Sequence, residues 1–418
     1  MGGWTIVAVV LVGYALVARV FDRWSITAPI VLVACGTLLG SAFLDLLPAN
    51  PKSESVRLLI ELTLALILFA DASTVDFGQA ERDVGVPARL LGIGLPLTIG
   101  LGAVAAHLVL PSISWAEAGL IGAILAPTDA ALGLAVVTNE AVPTRIRRDL
   151  NIESGLNDGI ATPLVTVFLA MVVAGSASHR WATEALLELA RGALVGVGVG
   201  LVGGSFLRWA KAAKWSTDLS DQLFVLGLAF IAYGSAVAIS GNGFVAAFVA
   251  GLVFGAASRQ QFLVATEFTD TVGLFSSFLV WIIFGAALVG PTLHAGIHLR
   301  PVLYALVSLT VVRMVPVALS LLGVRFRSDT NLFMGWFGPR GLASVVFTLI
   351  AFDALGGRGP AHRVVEVTTW TILLSVLLHG LSSGPLATAY GRRMSMAPGD
   401  TPELRSVAPS RVRRRGLL

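Results

Sequence analysis

The chain has little cysteine and little charge, and both shortages exclude whole classes of protein. Cys35 is the single cysteine among 418 residues, so an internal disulfide framework, a cysteine-based zinc site and an iron–sulfur cluster are excluded. Charged residues make up 13% of the chain, against about 25% in an ordinary soluble protein. A secretory signal peptide is not expected, because the first basic residue, Arg19, follows the first apolar run.

Apolar residues, in contrast, account for 56% of the chain. They form runs of about twenty residues, each long enough to cross roughly 30 Å of hydrocarbon as a helix. The pattern predicts an all-α polytopic membrane protein with about thirteen transmembrane helices. The runs lie near residues 4–20, 26–48, 56–73, 86–110, 115–138, 152–175, 190–209, 221–239, 242–258, 268–290, 301–323, 331–355 and 364–387.

Basic residues alternate between the loops and predict the orientation. Loops after odd-numbered runs, together with the tail, hold 20 of the 29 Lys and Arg residues, and loops after even-numbered runs hold 6. The positive-inside rule then places the N-terminus outside and the C-terminus in the cytoplasm. Residues 391–418 are expected to form a short basic cytoplasmic tail that lies near anionic headgroups and does not bind nucleic acid.

Two runs are interrupted near their middles by proline and charge. The fifth reads Ala126-Pro127-Thr128-Asp129 and the twelfth reads Gly338-Pro339-Arg340-Gly341. Proline breaks a helix because it donates no backbone hydrogen bond and clashes with the preceding turn. Broken helices at matching places in two halves of a membrane protein indicate a binding site. Thr128 and Asp129 occupy N-cap positions there, and Asp129 and Arg340 complement the dipoles of the half-helices.

The sixth run begins with a polar cluster, Glu153-Ser154-Gly155-Leu156-Asn157-Asp158-Gly159. On a helix, Ser154, Asp158 and Thr162 share one face, while Glu153 and Asn157 share another. Hydroxyl and carboxylate oxygens of this kind suit an alkali cation. No basic residue of this helix lies one turn from Asp158, so a buried carboxylate at this position is suited to exchanging a proton for a metal ion near neutral pH.

Arg313, in the eleventh run, is the cation that could balance Glu153. We expect a buried Glu153–Arg313 ion pair with a structural role, since loss of one partner strands the other charge. The alternative is that Glu153 is a second proton carrier. His379 is expected to be a hydrogen-bonded core histidine, and the glycines at 192–204 are expected to allow close helix packing.

Five segments together carry a resemblance to a known family. They resemble the monovalent cation/proton antiporters, in particular the NhaP-like branch of the sodium/proton exchangers, from about Leu64 to Gly384. The resemblance implies inverted repeats of six helices, two crossed broken helices, and core helices at about 86–175 and 301–387 within a transmembrane domain of residues 1–390, the remainder serving dimerisation and scaffold. The segments are Ala126–Asp129, Glu153–Gly159, Arg313 shortly before Pro316, Gly338–Gly341 and His379-Gly380.

The resemblance also implies roles for individual residues, with Asp158 as the carboxylate that binds the cation and the proton. Some relatives have a further glutamate ligand after Leu-Phe in the third span. This chain reads Leu68-Phe69-Ala70-Asp71, so either Asp71 replaces that ligand one position later or the ligand is absent. The further ligands implied are Thr128, Asp129, Ser154 and Asn157, and Na⁺ would be held by Asp158, Thr128 and Ser154. Glu153 and Arg313 would form a structural ion pair. Pro127, Pro339 and Arg340 would support the helix crossing.

The implied function is antiport of Na⁺ or Li⁺ against H⁺ across the cytoplasmic membrane, by an elevator-like movement in a homodimer that serves pH homeostasis. With Asn157-Asp158 there is one exchangeable carboxylate, so one proton swaps for one cation and no net charge moves. No cofactor is expected, and no enzyme, since the sequence has no nucleophile–base pair, histidine metal cluster or nucleotide motif. The alternatives are a K⁺/H⁺ antiporter with the same site, which the stretch at 68–73 also resembles, and a non-coupled channel or sensor.

Overall fold

The computed structural model describes residues 2–47, 49–75, 85–129, 132, 134–175, 181–258, 261–356 and 360–405. Within these ranges the chain is helical apart from turns, loops and one isolated bridge between Gly40 and Leu47. The predicted all-α class is therefore confirmed. In chain order the helices are α1 (Gly3–Arg23), α2 (Ala28–Leu39), α3 (Glu54–Ser73), α4 (Gly85–Val109), α5 (Trp115–Leu125), α6 (Leu134–Val137), α7 (Thr144–Ala174), α8 (Trp181–Ala212), α9 (Asp218–Ala238), α10 (Gly243–Ala257), α11 (Leu263–Phe284, continued to His294), α12 (Leu299–Ser320, interrupted at Thr310), α13 (Ser328–Trp336), α14 (Leu342–Leu355) and α15 (Pro360–Ser395).

Many of these helices have the length and composition of membrane spans. Eight of them in the described ranges are long and apolar enough to cross a bilayer, and α2, α5, α10 and α14 are shorter apolar helices. Every predicted run overlaps one of the helices or a pair of them, while the count of thirteen spans stays a prediction. Four of the basic residues used for the orientation, Arg82, Arg180, Arg259 and Arg358, lie outside the described residues, as do the tail arginines after Arg405.

Several helices end at other residues than predicted, two of them beyond the apolar run and one before its end. α7 begins at Thr144 and not near 152, and α15 continues to Ser395, past the predicted domain end at 390. These extensions are rich in arginine, so a search for apolar runs stops before the helix does. The predicted run at 26–48 is longer than the helix it contains, because α2 ends at Leu39. The amides of Leu46 and Leu47 then turn back and donate to the Leu39 carbonyl at 3.0 and 2.8 Å, satisfying the end of the helix.

The chain divides into two compact units, and the first comprises Met1–Val56, Gly85–Asn157 and Phe278–Leu418. α5 begins in this unit with a reciprocal capping box between Ser114 and Glu117, which fixes the start of the first broken helix. α2 packs closely on α11, where Thr37 Oγ1 donates to Gly285 O at 3.2 Å. A buried cluster in the unit includes Val86, Leu90, Val136, Val142, Ile146, Leu150, Val317, Leu321, Phe333, Met334, Phe337, Tyr390 and Met394.

The second unit comprises Arg57–Val84 and Asp158–Ser277. Glu61, an acidic residue in the third predicted run, is neutralised inside this unit. Its Oε1 accepts a hydrogen bond from Arg57 Nε at 2.9 Å, and its Oε2 accepts one from the Tyr233 hydroxyl at 2.7 Å. The core of the unit includes Ala65, Leu66, Phe69, Leu207, Val225, Leu228, Ala229, Ala232, Tyr233, Ala247, Ala250, Phe254, Phe262 and Ala265.

A stripe of glycines brings α8 and α10 into backbone contact. Gly196 and Gly200 lie one helical turn apart, and a Cβ on either would come within 2.7 Å of a carbonyl oxygen of α10, that of Ala246 or Ala250. Real Cβ atoms do not approach oxygen so closely, so only glycine fits at these positions. The predicted role of the glycines at 192–204 in close helix packing is confirmed for this pair of helices.

We expect Gly196→Ala to lower the free energy of unfolding by about 1–3 kcal/mol, as overpacking does. Its added Cβ would lie 2.7 Å from Ala246 O and 2.8 Å from Val249 Cβ. Gly198→Ala is the matched control on the same helix, because nothing lies within 4 Å of its Cβ. That change should be neutral or stabilising, since alanine favours helix. Denaturant unfolding in detergent measures both, and equal losses would contradict the α8–α10 contact.

Candidate functional site

Both proline-containing segments interrupt their helices, as the sequence predicts. α5 ends at Leu125, and Pro127, Thr128 and Asp129 that follow it have no regular structure. α13 ends at Trp336, and helix resumes only at Leu342. Each break leaves unpaired carbonyls at the end of one half-helix and unpaired amides at the start of the next. Inside a membrane those groups need partners from the protein.

The two breaks meet and supply part of each other's hydrogen bonds. The Asp129 amide donates to Pro339 O at 2.9 Å. In the other direction, Asp129 Oδ2 accepts from the Leu342 amide at 3.3 Å and so caps the start of α14. Gly341 permits this approach, since a Cβ there would lie 2.0 Å from Asp129 Cβ. Asp129 therefore caps a helix that is distant in sequence, a role that its position in the fifth run alone does not indicate.

Arg340 closes the end of α5. Its guanidinium donates from Nη1 to Ala126 O at 3.1 Å and from Nη2 to Ser308 O at 3.3 Å, and the side chain is fully buried. Ser344 Oγ adds a third donor, to Ile124 O at 2.7 Å. A cation at this place also opposes the negative end of the α5 dipole. These contacts accord with the predicted supporting role of Arg340, while Ser344 was not singled out from the sequence.

His379 and Ser375 fasten the other break from α15. Ser375 Oγ accepts from the Arg340 amide at 2.7 Å and lies 3.2 Å from His379 Nδ1. His379 Nε2 lies 2.9 Å from Trp336 O, the last carbonyl of α13. With its proton on Nε2, a neutral imidazole donates to Trp336 O and accepts from the serine hydroxyl at Nδ1, whereas a proton on Nδ1 would instead donate to the Ser375 carbonyl, which lies 3.0 Å away. The expectation of a hydrogen-bonded core histidine is confirmed. Ser375 was missed, although its i,i+4 spacing from His379 is the signal that pairs them.

An oxygen cluster surrounds Thr128. Ser154 Oγ donates to the Thr128 carbonyl at 2.8 Å, and Asn157 Nδ2 donates to Thr128 Oγ1 at 2.6 Å. Asn157 Oδ1 is buried and has no hydrogen-bond partner among the described residues, so it is an available acceptor. The structure thus brings three predicted ligands together at the break, with Asp129 as the next residue.

A small cavity adjoins this cluster. Its volume is about 20 Å³, which is room for about one water molecule or one dehydrated alkali cation. Its polar wall is made by Thr128, Asp129 and Ser154, and its apolar wall by Val136, Val137, Leu150, Phe337 and Pro339.

The two remaining candidate carboxylates belong to the second unit. Asp158 is the residue after Asn157 on α7, one turn beyond Ser154, and is buried. Its backbone carbonyl accepts from Thr162 Oγ1 at 2.8 Å. Asp71 is buried near the end of α3, where its carbonyl accepts from Thr74 Oγ1 at 2.9 Å. The ligand role of Asp71 stays a prediction.

The predicted ion pair between α7 and α12 is present. Arg313 Nη1 donates to Glu153 Oε1 at 2.6 Å, and both side chains are buried. The second break closes over the pair, because a Cβ on Gly338 would lie 2.2 Å from Arg313 Nε. Glycine at 338 therefore lets the backbone of the break pack directly on the arginine.

Removing one member of this pair should cost about 3–5 kcal/mol of unfolding free energy, because the remaining buried charge is stranded. We expect this loss for both Glu153→Gln and Arg313→Gln, and a double variant that loses less than the sum. A double-mutant cycle from unfolding in detergent measures the coupling.

The control is Asp218→Asn, which breaks an exposed contact of 2.8 Å with Lys211 and should change stability little. Additive losses at Glu153 and Arg313 would contradict a direct ion pair. A Glu153→Gln protein that keeps its stability but no longer exchanges protons would instead make Glu153 a proton carrier.

Comparison of the sequence with known proteins identifies the family of the chain. A family model described as "Sodium/hydrogen exchanger, transmembrane" matches residues 6–389. A protein named K(+)/H(+) antiporter NhaP from Alkalimonas amylolytica is 28% identical over 368 residues, covering 87% of this chain and 62% of the relative. The Na(+)/H(+) antiporter ApNhaP from Aphanothece halophytica is 24% identical over 406 residues, covering 90% of this chain and 72% of the relative.

The fold is also found among solved structures. The sodium proton antiporter MjNhaP1 from Methanocaldococcus jannaschii at pH 8 superposes with a TM-score of 0.73 at 21% identity, covering 92% of this chain and 98% of that one. The chain spans less than two thirds of the length of the K⁺/H⁺ relatives. Since the family model covers most of the sequence, the chain belongs to the sodium/hydrogen exchanger family, a family of multi-pass membrane transporters and not of enzymes.

Proposed function

We propose that the protein exchanges a monovalent cation, Na⁺ or Li⁺, for a proton across the cytoplasmic membrane. The observation that carries this proposal is the oxygen cluster at the first helix break. There the Thr128 carbonyl and hydroxyl are held by Ser154 and Asn157, on the helix turn that also carries Asp158.

The chemistry of the cluster suits an alkali cation. Carbonyl, hydroxyl and carboxylate oxygens are the ligands that hard cations prefer. A cation that sheds its water in a cavity for about one water molecule needs replacement oxygens and a compensating negative charge. In this proposal Thr128 and Ser154 supply neutral oxygens, Asp158 supplies the charge, and the available Asn157 Oδ1 is a further acceptor.

Coupling between cation and proton movement follows from the free-energy cost of a carboxylate that binds neither ion. A charged carboxylate in a low-dielectric interior is unfavourable by several kcal/mol unless a cation or a proton neutralises it. Asp158 is neutral with either occupant and charged with neither, so the loaded forms cross between the two sides and the empty form does not. Because the cation and the proton compete for the same oxygens, each crossing carries one or the other.

The same arithmetic predicts electroneutral exchange. One carboxylate that carries one proton in one direction and one monovalent cation in the other moves no net charge. Asn157, the neighbour of Asp158, is neutral in both states and donates to Thr128 at 2.6 Å, so it adds no second titrating group at this turn.

The remaining parts of the proposal concern movement and assembly. The core helices would carry the site between the two faces by an elevator-like movement, with the N-terminus outside, the C-terminus in the cytoplasm, and a homodimer as the working unit. The positive-inside distribution of basic residues supports the orientation. Asp129 and Arg340 support a site that moves as one body, because each bonds to the backbone of the opposite break.

K⁺/H⁺ exchange by the same site is the second candidate. The relatives named K(+)/H(+) antiporter favour it, at 25–28% identity over about seven eighths of this chain. The machinery would be unchanged, since K⁺ carries the same charge as Na⁺ and takes the same oxygen ligands at longer distances. Selectivity is therefore a matter for measurement.

Cation-dependent dissipation of a pH gradient in everted vesicles tests the main proposal. We expect Na⁺ and Li⁺ chlorides to dequench a pH-gradient dye with the native protein, and Asp158→Asn to abolish the response because its neutral amide can neither release a proton nor balance a cation. Glu184→Gln, at an exposed carboxylate on α8, is the control and should leave the response intact. A response to K⁺ alone would establish the second candidate, and full exchange by Asp158→Asn would remove this carboxylate from the mechanism.

Electrical recording from proteoliposomes tests the predicted stoichiometry. With a sodium gradient across the membrane we expect proton flux without current, and a rate that an imposed potential does not change, because one charge crosses in each direction. Currents that scale with the sodium gradient would contradict electroneutral exchange. If the currents persisted after Asp158→Asn, they would favour a channel.

A further inference from the structure

The first half of the second broken helix is too short to be stable alone. α13 has nine residues, Ser328–Trp336, and ends three residues before Pro339. Isolated helices of this length are marginal even with favourable sequences, so packing and end caps decide whether they form. The N-cap residue, Arg327, makes no side-chain capping bond of its own. The C-terminal end is held by His379 through the Trp336 carbonyl. At the N-terminal end Asp329 Oδ1 accepts from the Thr330 amide at 3.0 Å, and the Arg327 amide is bonded by a residue from elsewhere.

That residue is Glu403, in the segment predicted as a tail. Its Oε1 accepts from the Arg327 amide at 2.8 Å and from Thr330 Oγ1 at 2.8 Å. Glu403 is 0% exposed, and its other oxygen is buried without a partner among the described residues. The bonds of this carboxylate are therefore directed at the first turn of α13. A negative charge there also complements the positive end of the helix dipole.

The same segment bonds one more helix of the first unit, and the end of α15 bonds the same threonine that Glu403 does. Arg145, at the start of α7, donates from Nη1 to Pro402 O at 2.8 Å and lies over the Phe326 ring at 5.1 Å. Tyr390, near the end of α15, places its hydroxyl 2.9 Å from Thr330 Oγ1. The segment Thr401–Arg405 thus joins the start of α7 to the start of α13, where Thr330 bonds both Glu403 and the end of α15.

These three helices carry most of the site in the first unit. α7 carries Ser154 and Asn157, α13 leads into Pro339 and Arg340, and α15 carries Ser375 and His379. We propose that Thr401–Arg405 is a positioning strap, in which the Glu403 carboxylate caps α13 and thereby holds the second break in register with the first. The part of this inference that concerns ion binding rests on the proposed function, whereas the cap itself does not.

Hydrogen exchange of the amides of α13 and of the second break tests the strap without any transport. We expect Glu403→Ala to speed exchange roughly tenfold in the first turn of α13, the loss of one charge-assisted cap, and to speed exchange at the Arg340 and Leu342 amides. Glu403→Gln keeps an acceptor oxygen and should retain most of the protection. Asp400→Ala, at a nearby exposed carboxylate, is the matched control and should change nothing.

Two shortened chains separate the strap from the basic residues that follow it. A chain ended after Gly399 lacks Thr401–Arg405 and should behave like Glu403→Ala, whereas a chain ended after Arg405 keeps the strap and should behave like the full chain. Gly196→Ala, which perturbs only the α8–α10 contact, controls for general loss of stability and should leave α13 protected. Unchanged exchange in α13 after Glu403→Ala, or equal effects of the two shortened chains, would overturn the strap.

Cation affinity in the vesicle assay then tests the positioning role. We expect Glu403→Ala to raise the KM for the cation several-fold, with partial rescue by Glu403→Gln, because the ligands around Thr128 lose their fixed geometry. A lower amount of folded protein alone would reduce the maximal rate and leave KM unchanged. Faster α13 exchange with an unchanged KM would overturn the positioning role. A native chain that transports no cation would contradict the proposed function, while hydrogen exchange would still decide the strap.

Discussion

The site depends on one constraint, which is that backbone amides and carbonyls inside a bilayer need partners from the protein. Two broken helices expose such groups at four half-helix ends. The partners come from distant parts of the sequence: Asp129 caps α14, Arg340 and Ser344 bind the last carbonyls of α5, and His379 binds the last carbonyl of α13. The two breaks also bond each other directly, from the Asp129 amide to Pro339 O and from Arg340 to Ala126 O, next to the Thr128 oxygens that Ser154 and Asn157 hold.

Under the proposed function, this arrangement separates structural charge from the charge that changes when a cation or a proton binds. Glu153 and Arg313 neutralise each other at 2.6 Å, and the Arg340 guanidinium donates to two carbonyl oxygens. Their charges need not change when a cation or a proton binds. In the proposed mechanism the charge that varies belongs to Asp158, on the same helix as Glu153. Asn157, the residue before Asp158, carries no charge, which is consistent with that division. Its amide nitrogen donates to Thr128, and its Oδ1 is left as an acceptor.

The site residues that the sequence predicts are those whose burial in a membrane helix is unfavourable. Pro127, Pro339, Arg340 and the Glu153–Arg313 pair are costly inside an apolar run, so each signals a local need. Ser344 and Ser375 are not costly there and carry no such signal, although both bond the broken segments. The meeting of the two breaks depends on tertiary packing across more than two hundred residues, and only the family resemblance anticipated it. The start of α7 is missed for a different reason, since it is rich in arginine and a search for apolar runs stops before it.

Glu403 extends this argument beyond the membrane runs. In the sequence it is one of two acidic residues in a basic, polar segment, and the composition of that segment indicates a tail near anionic headgroups. In the structure the carboxylate is fully buried and accepts from the Arg327 amide at the N-terminus of α13. α13 is thus capped at its start by Glu403 and at its end by His379, both from the C-terminal part of the chain. A nine-residue helix fixed at both ends can position the four residues that follow it, which is where Pro339 and Arg340 meet the first break.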